Sequence, residues 1–188
     1  ETKTAKLGLR VNPGISHSHF DLADPARKYS RLGVVDKSAV EKQLSRISGL
    51  MFHYNCENDD FDAFAAQLDQ IGESYGEILK KLQWISLGGG LYFTKDGYPI
   101  EKFSKKLADF AKEFDVQIYL EPGESAISGC AELVTKVVDV VHNEMEIAIV
   151  DASVEGQMLD VLSYRLSAKI EEEALSTRKY MVAGRSCL

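Results

Sequence analysis

The sequence predicts an α/β protein that gives way to β structure in its last third. Two observations carry this. Over the first 120 residues or so, short apolar runs alternate with stretches whose apolar residues recur every three or four positions, as parallel strands joined by crossover helices require. Beyond Gly123 the texture becomes β-branched and turn-linked without intervening helical patterns, so a domain boundary is expected near residue 125, giving domains 1–125 and 126–188.

Each element has its own signal. LGLRV (7–11) reads as a strand, and DKSAVEKQLSRI (36–47) as a helix with Ala39, Val40, Leu44 and Ile47 on one face. GLMFHY (49–54) is a strand. A long helical stretch follows, with Phe61, Phe64, Leu68, Ile71, Tyr75, Ile78, Leu79 and Leu82 at helical spacing and Asp59 or Asp60 as its cap. Gly72 and Gly76 inside it weigh against one unbroken helix. WISLG (84–88) is a strand, and PIEKFSKKLADFAKEF (99–114) a helix with Pro99 near its first turn. VQIYLE (116–121) is a strand. These strands are apolar on both faces, as in a sheet covered on both sides. In the last third, CAELVTKVVDVVHNE (130–144) and MEIAIVDA (145–152) read as strands with a hairpin turn at Asn143-Glu144, and KYMVAG (179–184) as another, together an antiparallel all-β segment. EEEALSTRK (171–179) reads as a solvated loop.

Composition excludes several classes. The net charge of −7 disfavours nucleic acid and anionic membranes, which would repel the chain. Cys56, Cys130 and Cys187 are odd in number and widely spaced, giving neither a disulfide framework nor a metal site and fitting a reducing cytoplasm. No apolar run approaches the ~18 residues of a membrane span. The chain starts on Glu1 and ends on Cys187-Leu188, which reads as a piece of something longer.

Each strand of the first domain ends in notable residues: Asn12-Pro13-Gly14, His53, Gly88-Gly89-Gly90, and Glu121-Pro122-Gly123. The carboxyl edge of such a sheet is where α/β proteins bind ligands. Three glycines admit close backbone approach, and their N–H groups can converge on a phosphate; alone they read equally as a flexible turn. His53 in an apolar strand reads as a core histidine or as an imidazole against a flat ligand. Glu121 reads as an ordinary strand-end acid or as a carboxylate that keeps an aromatic nitrogen protonated. A phosphate cradle, a stacking ring and a pyridinium-pairing acid are together what pyridoxal 5'-phosphate needs.

In this order of motifs, RVNPG, FHYNCEN, SLGGGLY, LEPGES and a β domain ending in AGRSCL, the chain resembles the fold-type III pyridoxal-phosphate decarboxylases, the ornithine, arginine and diaminopimelate group. FHYNCEND, WISLGGGLYFTKDGYPI, YLEPGESAISG and MLDVLSYR are most similar to its polyamine-forming branch, which decarboxylates carboxylated triamines. The resemblance implies the second half of an alanine-racemase-like (β/α)8 barrel followed by part of a C-terminal β-sandwich or β-barrel domain. It implies that His53 stacks on the cofactor ring, that Gly88, Gly89 and Gly90 hold its phosphate, that Glu121 pairs with its nitrogen, and that Gly123 lies at the phosphate or substrate edge. Cys187 would reach into the partner subunit's site in a homodimer and deliver a proton after carbon dioxide leaves. Asp151, with Glu155 as the alternative, would grip the distal amine of the substrate.

Two departures refine this. Ornithine and diaminopimelate decarboxylases usually carry Arg after EPG, where this chain has Glu124. An acid there would bind a substrate ammonium and repel the distal carboxylate of diaminopimelate. The lysine that holds the cofactor covalently in the family is expected upstream of Glu1, so this chain alone is expected to be inactive. Rival readings are a diaminopimelate-type decarboxylase, a non-catalytic regulatory homologue, and a phosphate-binding barrel enzyme without pyridoxal phosphate.

Overall fold

Four parallel strands, each hydrogen-bonded to its neighbour in the order β1-β3-β4-β5, set the frame of the first unit: β1 Gly8–Val11, β3 Gly49–Asn58, β4 Trp84–Leu91 and β5 Gln117–Glu121. A two-residue strand, β2 (His17–Ser18), extends the sheet along β3. The computed structural model describes residues 5–18, 21–170 and 177–187. The chain divides into two compact units, Glu1–Cys130 and Ala131–Leu188.

The strands form because one face of each is deeply apolar. Leu50, Phe52 and Tyr54 of β3 and Ile85 and Leu87 of β4 are fully buried, on alternate positions, as the two-residue strand period dictates. They pack under α2 (Phe61–Leu79) and α3 (Ile100–Phe114), with Phe64, Leu68, Ile71, Phe103 and Phe110 supplying the helical side of the core. Asp60 starts α2 by accepting hydrogen bonds from Asp62 N at 2.9 Å and Ala63 N at 3.0 Å.

Helix α2 runs unbroken through Gly72 and Gly76, contrary to the expectation from those glycines. Tertiary packing outweighs propensity here. A Cβ on Gly76 would lie 2.9 Å from Phe114 Cε1, and one on Gly72 would lie 3.1 Å from Phe114 Cζ. The glycines form a notch for the aromatic end of α3. The helix expected over 36–47 is instead short: α1 covers Lys37–Glu41 and the chain then tightens into turns. The next amides, Gln43, Leu44 and Arg46, each bond to a carbonyl only three residues back.

Two further expectations are corrected. The sheet is not covered on both faces; opposite the helices, Arg10, His53, Tyr119 and Glu121 are half-buried or exposed. The glycine triplet is not a loop after the strand but its last turn of pleat, since β4 continues to Leu91 and β3 to Asn58. The extra length of β3 is absorbed by register shifts between His53 and Asn55 and between Asn55 and Asn58.

In the second unit β6 (Val137–Asn143) and β7 (Met145–Val150) form the expected hairpin, with Glu144 at φ +61° between them. β8 (Tyr180–Gly184) pairs with β7 in parallel, so the segment is not wholly antiparallel. A parallel partner needs a long crossover, and residues 151–179 supply it. Two short helices, α4 (Val154–Gln157) and α5 (Leu159–Tyr164), lie in it. Residues 171–176 of the anticipated solvated loop lie outside the described residues, and 177–179 are exposed.

Candidate functional site

Strand register stacks the open face of the sheet into rows. Gly8, Gly49, Trp84 and Gln117 are neighbours in the lowest row, then Arg10, Met51, Ser86 and Tyr119, then His53, Gly88 and Glu121. The bottom row is closed by one side chain. Cβ atoms on Gly8 and Gly49 would fall 2.3 and 2.1 Å from the Trp84 ring, so the indole fills the room that the glycines leave. Its Nε1–H donates to Ser48 Oγ at 3.0 Å, and Tyr119 meets it edge-on at 6.0 Å.

The top row brings three of the expected residues together. A Cβ on Gly88 would meet Met51 Cε at 2.7 Å, Glu121 Oε2 at 3.1 Å and His53 Cδ2 at 3.2 Å. The imidazole, the carboxylate and the end of the Met51 side chain therefore converge on a position with no side chain of its own. Glu121 is exposed rather than buried, so its charge carries little desolvation cost; the Ser86 hydroxyl holds it by donating to Oε1. His53 is half-buried, and its Nδ1 is enclosed without a hydrogen-bond partner. Burial, and then the Arg10 guanidinium, lower its pKa below the ordinary 6.5, against a smaller opposing pull from Glu121. The ring is thus neutral at pH 7, suited to face another ring.

Gly89 and Gly90 continue past the point where pairing with β5 stops at Gly88. Gly89 has φ +114°, and a Cβ there would lie 2.1 Å from the Asn55 carbonyl oxygen; one on Gly90 would lie 2.8 Å from Glu57 N. Both must be glycine for β3 to bulge this close. Gly123 differs: nothing lies within 4 Å of where its Cβ would be, so no steric need for glycine shows there. Asn12 is buried and its Oδ1 accepts from Gly14 N at 2.9 Å, which makes it a turn-former.

Glu124, on the 3-10 turn after β5, is exposed and accepts from the Tyr92 hydroxyl at 2.9 Å. Both line a cleft of about 390 Å³ together with Glu57, Asp59 and Lys95. Asp151, Glu155 and Cys187 all lie in the second unit. Asp151 Oδ1 accepts from Thr135 Oγ1 at 2.6 Å and Lys136 N at 2.8 Å, which lowers its pKa and ties the start of β6 to the end of β7. Glu155 is likewise held low, chiefly by a hydrogen bond from Ser186, the residue before Cys187. A Cβ on Gly184 would lie 2.8 Å from the Ala152 carbonyl oxygen, so the strand leading to the cysteine runs past the link between Asp151 and α4, which carries Glu155. Cys187 itself is a free, exposed thiol.

Sequence reasoning did not single out Arg10, Ser86 or Tyr92. A signal existed for Ser86, which sits two residues before Gly88 and so on the same strand face. Arg10 is a charge inside an apolar strand. Tyr92 had no signal beyond following the glycines. Among the described residues no group of three or more His, Cys, Asp or Glu side chains could hold a metal, and no helix is long and apolar enough to cross a membrane.

No family model matches the chain. Solved structures do. It superposes on carboxynorspermidine decarboxylase of Campylobacter jejuni, complexed with norspermidine, with a TM-score of 0.80 and 34% identity, covering 100% of this chain and 52% of that one. Diaminopimelate decarboxylase of Helicobacter pylori, complexed with L-lysine, shares the fold at a TM-score of 0.75 and 20% identity over 98% of this chain and 50% of its own. The fold is that of part of a fold-type III decarboxylase, a stretch of barrel followed by a β domain. In sequence the chain is 47% identical over 181 residues to the carboxynorspermidine/carboxyspermidine decarboxylase of Herminiimonas arsenicoxydans, covering 96% of this chain and 49% of that protein. Over nearly its whole length the chain is similar to carboxynorspermidine/carboxyspermidine decarboxylases. It spans about half the length of the curated relatives it matches.

Proposed function

We propose that the protein carrying this chain is a pyridoxal-phosphate-dependent carboxy-lyase that converts carboxynorspermidine or carboxyspermidine to norspermidine or spermidine, a step of polyamine biosynthesis. The observation that carries this is the convergence of His53 and Glu121 over Gly88. The kinship with decarboxylases of these substrates supports it.

The residues fit the cofactor. The imidazole and the carboxylate flank Gly88, with the flexible end of Met51 beside them, and His53 Nδ1 is an enclosed polar atom without a hydrogen-bond partner. His53 would lie against the cofactor's ring. Glu121, oriented by Ser86, would pair with the ring nitrogen and favour its protonated form. Gly88, Gly89 and Gly90 would receive the phosphate. Bound there, pyridoxal phosphate supplies a sink for the electron pair left when carbon dioxide departs. Cys187 of a second subunit would return the proton, which makes the working unit a homodimer. Glu124 would hold a cationic amine of the substrate.

A diaminopimelate-type substrate fits less well, because Glu124 repels its distal carboxylate. The test is product formation by the full-length holoenzyme on carboxynorspermidine, carboxyspermidine and diaminopimelate. Turnover of the first two over the third is expected. Turnover of diaminopimelate alone, or a protein with no borohydride-bleachable absorbance, overturns the reading.

A further inference from the structure

Glu124 is a carboxylate on a short turn at the surface, and such a side chain ordinarily samples several rotamers, which would blur any reading of substrate charge. Here the turn is stapled. Tyr92 O–H donates to Glu124 Oε2 at 2.9 Å. One residue on, the Ser125 hydroxyl donates to the Leu91 carbonyl, and Thr94 Oγ1 donates to the Ser125 carbonyl at 3.3 Å. The end of β4 therefore grips both the backbone and the carboxylate of residues 124–125.

The charges around the cleft give the staple a purpose. Lys95, the cation on its wall, is engaged by Asp59. Tyr92 meets Glu124 through a hydroxyl at Oε2, and the second oxygen, Oε1, is left to meet a cation. The cleft volume, about 390 Å³, is in the range of small-molecule sites.

We propose that Tyr92 is a positioning residue that fixes the Glu124 carboxylate at the cleft and thereby sets selectivity for a substrate bearing an ammonium group over one bearing a distal carboxylate. This rests on the reading of function above. Burial, the hydrogen bond to Glu124 and the nearby charges of Glu124 and Glu57 raise the phenol's pKa, so it remains a donor throughout the physiological range. Removing the hydroxyl alone, with Tyr92→Phe, leaves the ring and its packing in place.

The experiment uses the holoenzyme with Tyr92→Phe, Glu124→Gln and the double variant, measuring norspermidine affinity by calorimetry and steady-state kinetics on carboxynorspermidine. Tyr92→Phe is expected to weaken norspermidine binding and raise KM by about three- to tenfold, with much less change in kcat. In the Glu124→Gln background the same change should cost less than about twofold, because the hydroxyl then has no carboxylate to hold. Equal losses in both backgrounds, or a loss confined to kcat, overturn the proposal. If carboxynorspermidine is not turned over at all, the functional reading fails, while the calorimetric cycle still decides whether Tyr92 acts through Glu124.

Discussion

Replacing Gly88 with alanine tests the proposed cofactor seat separately from the fold that carries it. The backbone at Gly88 is not among those with positive φ, so alanine is conformationally allowed. The new methyl would lie 2.7 Å from Met51 Cε, 3.1 Å from Glu121 Oε2 and 3.2 Å from His53 Cδ2. The tightest contact is with the free end of a flexible side chain, which can swing aside. The cost to folding should therefore stay near the lower end of the overpacking range, about 1–2 kcal/mol. The methyl would, however, also crowd the imidazole and the carboxylate, beside which the proposed reading puts a flat ring. Displacing that ring should weaken pyridoxal phosphate binding about 10- to 100-fold, equivalent to ~1.4–2.8 kcal/mol. The assay is a titration of apo-protein with pyridoxal phosphate, followed by absorbance, beside a urea unfolding curve of each protein. If Gly88→Ala bound the cofactor as tightly as the parent with its unfolding midpoint also unchanged, the space over Gly88 would not be the cofactor's seat.

Other predictions follow from the same geometry. Gly89→Ala should damage the fold itself, by more than about 3 kcal/mol, because it combines a φ of +114° with a Cβ 2.1 Å from the Asn55 carbonyl; soluble protein with a parental melting temperature counts against this. Gly76→Ala gains about 1 kcal/mol of helix propensity but drives a methyl to 2.9 Å from Phe114, so a net loss of ~0.5–2 kcal/mol is expected in urea unfolding, and a net gain refutes the notch. His53 has a lowered pKa in the folded chain, so the unfolded chain takes up the extra proton first as pH falls through 6.5; the His53 contribution is present above that value and lost toward the folded pKa. His53→Gln should flatten that acid-side loss in unfolding midpoints, and an unchanged slope assigns it to other groups. Glu124→Arg should cut kcat/KM for carboxynorspermidine by more than about tenfold, and an unchanged value removes Glu124 from the substrate site.

The parts legible in the sequence were those set by local pattern. Short apolar runs marked β1, β3, β4 and β5, and period-3.6 apolar spacing marked α2 and α3, because burial imposes those patterns whatever the rest of the chain does. His53, Gly88 and Glu121 stood out because each breaks an apolar run, although the structure puts only Glu121 at a strand end. Errors came where a distant partner decided the outcome. Gly72 and Gly76 look like helix breakers until Phe114 arrives from α3. The triplet Gly88-Gly89-Gly90 looks like a loop until the bulged β3 lies against it. β8 looks like another antiparallel strand until it is seen to pair with β7 in parallel.

The sequence by itself thus determined which segments become strands and helices and which residue types crowd one sheet edge. Tertiary structure decided register, and register decided which side chains meet: it set His53, Gly88 and Glu121 in one row, Ser86 beneath the carboxylate, and Tyr92 against Glu124. The physical reason is that apolar periodicity depends on each residue's own environment. The pairing of residues about 35 positions apart depends instead on how whole strands slide past one another, and there a shift of one residue sends every side chain to the opposite face.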